Sequence, residues 1–134
     1  MSKNMQIYDA EKVTVTVDKM VLFGFGDGDM VTCTKEANNI ETKVDAQGSA
    51  SAAILHDNTG SIQIDLAHTS PCNAHLMKLA NSKKMVAVRV VHDGKETIGG
   101  SKAYVEKTPD AAFGKEVGNR SYTLKVLDYK HEVK

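Results

Sequence analysis

The stretch Lys12–Val17 reads KVTVTV, and its strict alternation decides the fold class. Val13, Val15 and Val17 point one way while Thr14 and Thr16 point the other. Period-2 alternation of β-branched residues is the pattern of a strand buried on one face. Asp18-Lys19 follows as a tight turn into MVLFGF, which predicts a hairpin. The alternation returns in MVTCTK (Met30–Lys35), with Val31 and Cys33 opposing Thr32 and Thr34. It returns in SIQIDLA (Ser61–Ala67), where Ile62, Ile64 and Leu66 share a face. Met85–His92 and Lys95–Lys107 read as two further strands joined by an Asp93-Gly94 turn, with a bulge expected at Gly99-Gly100. RSYTLKVLDYKHEV (Arg120–Val133) reads as one long closing strand.

Between these strands the pattern weakens. Glycines mark Gly24–Asp29 (GFGDGD) as a loop. Glu36–Ser51 is polar and small, with Ile40 and Val44 as its apolar anchors, and reads as a long loop of the kind that carries contacts. Ala50–Asp57 is expected to be a strand, paired through Asn58-Thr59-Gly60 with SIQIDLA. Thr69-Ser70-Pro71 supplies a cap hydroxyl and a proline for the one helix. Leu76, Met77, Leu79 and Ala80 form its apolar stripe, with Lys78, Lys83 and Lys84 toward its C-terminal end. TPDAAFGKEVGN (Thr108–Asn119) is a second irregular connection. The expectation is a mainly β chain: one domain over 1–134, an antiparallel β-sandwich or small barrel of about eight strands, with one short α-helix plugging an opening.

Composition narrows the function classes. A mix of 41% hydrophobic and 25% charged residues suits a chain that buries a core. Lys+Arg and Asp+Glu are both 17, so there is no basic excess with which to grip nucleic acid through its phosphates. Zero net charge also removes the long-range repulsion between like subunits. No apolar run approaches the length of a membrane span, and the N-terminal dozen residues carry no apolar core of a secretory signal. Cytoplasmic synthesis is the expectation, and it favours two reduced thiols at Cys33 and Cys72 over a bridge between them.

The candidate chemistry is thin. GFGDGD runs into a strand rather than a helix and lacks the spacing of a calcium loop, so it reads as a turn. Cys72 and His75 stand three apart near the helix start, but a zinc site needs ligands that only remote residues could add. No nucleophile elbow is present, and a 5% aromatic content without Trp offers few platforms for bases. A cofactor is not expected. In Phe113–Arg120 (FGKEVGNR), Lys115, Glu116 and Arg120 could form a reactive cluster or an interface rim. Phe113 amid that polarity needs cover, and Gly114 and Gly118 permit sharp backbone geometry around it, which favours a joint between subunits.

Several motifs in this order resemble the tail tube proteins of contractile-tailed phages and the inner-tube proteins of R-type bacteriocins such as diffocins. They are Gly24-Phe25 with Asp27-Gly28, Val31-Thr32 with Thr34-Lys35, Asp57-Asn58 with Gly60-Ser61-Ile62, Thr69-Ser70-Pro71 with Asn73, and Phe113 to Arg120. The resemblance runs from Tyr8 to Asp128. It implies a structural subunit, not an enzyme, that joins copies of itself into hexameric rings stacked as a hollow tube inside a sheath. The implied partners are the sheath protein, a baseplate or tube initiator and a tail terminator, with no sequence-specific nucleic-acid binding. A target membrane would be met only through the assembled, released particle, whose tube passes ions (bacteriocin) or DNA (phage). Candidate contacts between subunits or rings are Ile7 and Tyr8 of an arm over residues 1–10, Ile40 and Val44 of the loop over residues 36–51, and Phe113, Lys115, Glu116 and Arg120. The alternative is a small soluble metal- or ligand-binding β-barrel.

Overall fold

The computed structural model describes residues 7–134, so residues 1–6 of the expected arm lie outside the described residues. Asp9 accepts the Glu11 N–H and opens a 3-10 turn at Ala10–Lys12, which feeds β1 (Val13–Val17). Asp18 and Lys19 both adopt positive φ, at 49° and 68°, and reverse the chain into β2 (Met20–Val21) as the sequence predicts. β3 (Val31–Lys35), β4 (Ile40–Val44), β5 (Ala50–Ile54) and β6 (Gly60–Ala67) precede the helix α1 (Cys72–Ser82). β7 (Val86–His92), β8 (Glu96–Lys107), β9 (Asn119–Val126) and β10 (Lys130–Val133) follow it. The fold is thus mainly β and antiparallel, with one α-helix and ten strands among the described residues where about eight strands are expected.

Eight strands form one sheet in the order β2-β1-β7-β8-β9-β6-β3, with β10 also paired to β8. The alternating apolar residues meet in a single core: Val15, Val17, Ile62, Ile64, Leu66, Val88, Leu124 and Val126 are all essentially inaccessible. Val31 and Cys33 of β3 line a cleft with Val90, Glu96, Ile98 and His131, so the β3 edge of the sheet folds over toward β7, β8 and β10. The helix closes one end of this layered body, burying Cys72, Leu76 and Leu79. Ser70 is the hydroxyl that serves the helix start: its Oγ accepts the Cys72 N–H and donates to the Phe23 carbonyl at 2.6 Å. Asn73, also buried, donates to the carbonyls of Ala67 and Ser70 and accepts the Tyr122 hydroxyl at 2.9 Å. Lys83 ends the helix in the left-handed region, which puts both it and Lys84 beyond the last turn.

Three expectations need correction. First, residues 36–51 are not a loop, because β4 and the start of β5 pair with each other as a separate two-stranded sheet. The Asp45 carboxylate takes the N–H groups of Gln47 and Ser49, and Gly48 sits at φ 88°, so DAQGS is a tight turn. Second, β5 does not pair with β6, whose two edges are occupied by β3 and β9. The Asp57 carboxylate instead takes the Thr59 N–H and hydroxyl, which lowers its pKa and turns the chain into β6. Third, the closing strand is two strands in line along β8, interrupted at 127–129. There the Tyr129 N–H bonds the Asn58 carbonyl, and the ring lies where a Cβ on Gly60 would stand, 2.5 Å away.

The other half of that interruption shapes β8. The register passes from Val88–Gly100 to Val86–Ala103, so Ser101 and Lys102 face one residue of β7 in a bulge just after the expected glycine pair. The Asp128 carboxylate accepts the Ser101 N–H, the Ser101 hydroxyl and the Lys102 N–H, at 3.1, 2.6 and 2.9 Å. These bonds, led by the Ser101 side chain, hold the Asp128 pKa down at about 2. Gly99 is required here: its φ is 150°, and a Cβ would stand 2.1 Å from the Val88 carbonyl oxygen. By contrast Gly114 and Gly118 stay outside the positive-φ region, and a Cβ at either would meet nothing within 4 Å, so neither position requires glycine.

Gly99→Ala is expected to lower stability by about 2 kcal/mol or more through backbone strain and displacement of β7, while Gly114→Ala stays within about 0.5 kcal/mol of wild type; thermal unfolding compares them. Tyr122→Phe leaves the buried Asn73 Oδ1 without its donor and should cost about 1–3 kcal/mol in chemical denaturation. Asp128→Ala should cost about 1–2 kcal/mol at neutral pH, a modest figure because the group is partly solvated. Because the folded Asp128 pKa lies below the ordinary carboxylate value of 3.8, its contribution is complete above that value and fades as pH falls toward about 2. A pH titration of the midpoint should therefore show the variant converging on wild type at the acid end.

Candidate functional site

The motifs singled out in the sequence converge at one end of the sheet. Gly24, at φ 76°, packs against Ser70, and a Cβ there would lie 2.6 Å from the Ser70 hydroxyl. The Gly24 carbonyl accepts the Ala67 N–H, Phe25 bridges to Leu66, and Gly26 donates to the Asp65 carbonyl. A Cβ on Gly26 would run into Asn119, the penultimate residue of the FGKEVGNR stretch. The glycine-rich loop, the helix start and the beginning of β9 are thus three walls of one junction. Its polar atoms are spent on each other, so it is a structural knot rather than a cradle for a phosphate or cation.

Phe113 and Arg120 meet at the edge of this junction. Arg120 lies on the same face of β9 as buried Tyr122, and its guanidinium sits 5.5 Å from the centre of the Phe113 ring. His68 approaches that ring edge-on at 6.4 Å, and the His68 backbone N–H donates to the Gly118 carbonyl, tying down the end of the loop. The Arg120 Nε is buried and has no acceptor among the described residues. Phe113 remains 79% exposed, so its own chain does not supply the cover it needs. Lys115 and Glu116 are exposed and take part in no salt bridge among the described residues, so they do not join Arg120 in a cluster.

The remaining predicted contacts are dispersed. Ile7 is 94% exposed, while the Tyr8 ring lies 5.4 Å from that of His92 at the end of β7. Ile40 and Val44 occupy one face of β4 and are more than half exposed. Ile54, directly opposite Ile40, is 71% exposed and was missed. Its signal in the sequence is the alternation of IETKV (Ile40–Val44), which makes β4 a strand and gives β5 a partner across the Asp45–Ser49 turn.

The chemically richest spot is elsewhere, in the cleft under β3. His131 bonds Glu96 there, and Cys33 and His92 line the same cleft. Burial, helped by the Glu96 charge, pushes the Cys33 thiol up to about 11. A thiol so reluctant to ionise is a poor nucleophile or metal ligand. Cys72 and His75 do not act together either: the Cys72 sulfur accepts the Phe23 N–H, and His75 Nε2 lies 3.0 Å from the Val17 carbonyl. Among the described residues, no three His, Cys, Asp or Glu side chains are grouped to hold a metal ion.

No protein-family model and no curated protein matches this chain in sequence. Solved structures do match it in fold. One is a chain of an extracellular contractile injection system, the PVC sheath/tube terminator in the extended state, with a TM-score of 0.72 at 12% identity over 98% of this chain and 100% of that one. Another is the anti-feeding prophage cap, a tube terminating cap, at 0.67 and 12% over 100% of this chain and 96% of that one. A third is the PVC sheath-tube complex in the extended state, at 0.66 and 14% over 94% of this chain and 91% of that one. The chain therefore has the fold found in structural components of contractile injection systems.

Proposed function

We propose that the chain is a subunit of the inner tube of a contractile tail or R-type bacteriocin, assembling as hexameric rings that stack inside a sheath. The observation that carries this reading is the match over at least 94% of the chain to structures of contractile injection systems. The surface supports it: Ile7, Tyr8, Ile40, Val44, Ile54, Phe113 and Val117 are large apolar groups left exposed. Ring and stack contacts would cover them. Lys115, Glu116 and Arg120 would add polar contacts around Phe113. The tube would be driven through a target envelope and serve as a conduit for ions or DNA, with sheath, initiator and terminator as partners and no substrate turned over. A terminator or cap is the second reading, favoured by the two matches described in those words.

Electron microscopy of the concentrated protein, alone and with sheath and baseplate proteins from the same gene cluster, separates the readings. Stacked rings of open-ended length with an axial lumen are expected. Single rings that never stack would favour the terminator, and a persistent monomer under every condition would contradict both. Phe113→Ala should change monomer stability by no more than about 1 kcal/mol, the worth of its exposed cation–π contact, yet weaken assembly. Arg120→Glu should impair assembly of a chain that still folds. Sedimentation and thermal melting of each variant check the two effects separately.

A further inference from the structure

We propose that Lys35 latches the β4–β5 ribbon to the body of the chain, fixing the angle at which it projects. The ribbon has no core face to hold it. Its two strands pair with each other in a sheet of their own, and all ten of their residues are exposed. Ile40 stands opposite Ile54, and Val44 follows on the same face, so the direction of the ribbon decides where that apolar face points. Each strand of five residues is about 16 Å long. A small rotation at the root therefore becomes a large displacement at the turn over residues 45–49.

The root is a hinge between two ladders. The ladder of β3 and β6 runs one pair past its strands, where the Glu36 N–H donates to the Thr59 carbonyl at 3.1 Å. The ribbon's ladder starts one pair early, where the Leu55 N–H donates to the Asn39 carbonyl at 2.8 Å. Residues 37–38 and 56–58 lie between them and belong to no helix or strand. The second of these segments is held to the body, through Asp57 on Thr59 and through the Tyr129 N–H on the Asn58 carbonyl. The first is spanned by a side chain: the Lys35 ammonium, at the end of β3, donates to the Asn39 side-chain carbonyl. Among the described residues this is the one hydrogen bond that joins the ribbon's ladder to the body. A charged donor strengthens it. The neighbouring charges keep Lys35 in place. Lys125 of β9 pairs with the Glu36 carboxylate, which leaves Lys35 for Asn39. Lys35 and Lys125 also add to the Thr59 bonds in holding down the pKa of Asp57. A ribbon held at one angle has less orientational freedom to lose when it meets another surface. The latch lies within one chain and does not depend on the tube reading.

The test is the distance distribution between nitroxide labels at Gln47→Cys, in the ribbon's turn, and Gln63→Cys, an exposed position of β6. The background is Cys33→Ser, which keeps the fully buried Cys72. Double electron–electron resonance on the monomeric fraction is expected to give one narrow distribution. Lys35→Met and Asn39→Leu should each broaden it at least twofold, and the two together no further than either alone. Lys43→Met removes a ribbon lysine whose ammonium makes no bond among the described residues, and should leave the width unchanged. Melting within about 3 °C of the parent chain shows that the broadening is local, since the lost contact is exposed. A parent distribution already as broad as that of the variants overturns the latch, as does a width that neither Lys35→Met nor Asn39→Leu changes.

Discussion

The bend in β8 is the constraint on which the rest of the structure depends. This strand carries β7 along one side and both β9 and β10 along the other. A flat strand of its length would give an open sheet with no interior. The bulge at Ser101-Lys102 and the extreme backbone of Gly99 turn it, and the Asp128 carboxylate holds the turned backbone from the opposite strand. Because β9 and β10 are broken at that same point, the sheet folds over Leu124, Val126, Ile62 and Val88 and makes one core for the helix to close.

That arrangement also decides what remains outside. The strand faces that meet the core are used up, and the polar atoms of the helix junction satisfy one another through Ser70, Asn73 and Tyr122. What is left for other molecules is of a different kind. It is the uncovered ribbon, the mostly apolar groove along β7 and β8, and Phe113 over an Arg120 whose Nε is buried and without an acceptor among the described residues. These are apolar faces and a cation whose Nε is unpaired among the described residues.

Much of the fold was legible because it rests on period-2 burial. Val13 to Val17, Ile62 to Leu66 and the helix stripe around Leu76 and Leu79 are placed as their spacing requires. The Asp18-Lys19 and Asp93-Gly94 turns likewise have the positive φ their positions demand. What was not legible depends on partners distant in sequence. Nothing local in LDYKHEV shows that Asp128 leaves its strand to hold Ser101, or that Tyr129 leaves it to cover Gly60. The pairing of β5 with β4 was obscured because Asn58-Thr59-Gly60 is the more obvious turn, while Asp45–Ser49 is closed by a side-chain carboxylate. For the site, Phe113 and Arg120 were legible as an anomaly in a charged loop. Lys115 and Glu116 were grouped with them by sequence adjacency, which in an irregular segment says little about which side chains meet.

In the proposed function, copies of this chain join into a hollow tube. A cryo-electron microscopy reconstruction of the assembled protein tests it most directly. The account predicts six copies per ring, rings stacked around an open lumen, and residues 40–54 of each copy buried against a neighbour. A reconstruction in which the copies form a closed particle without an axial channel, with that ribbon free in solvent, would contradict it.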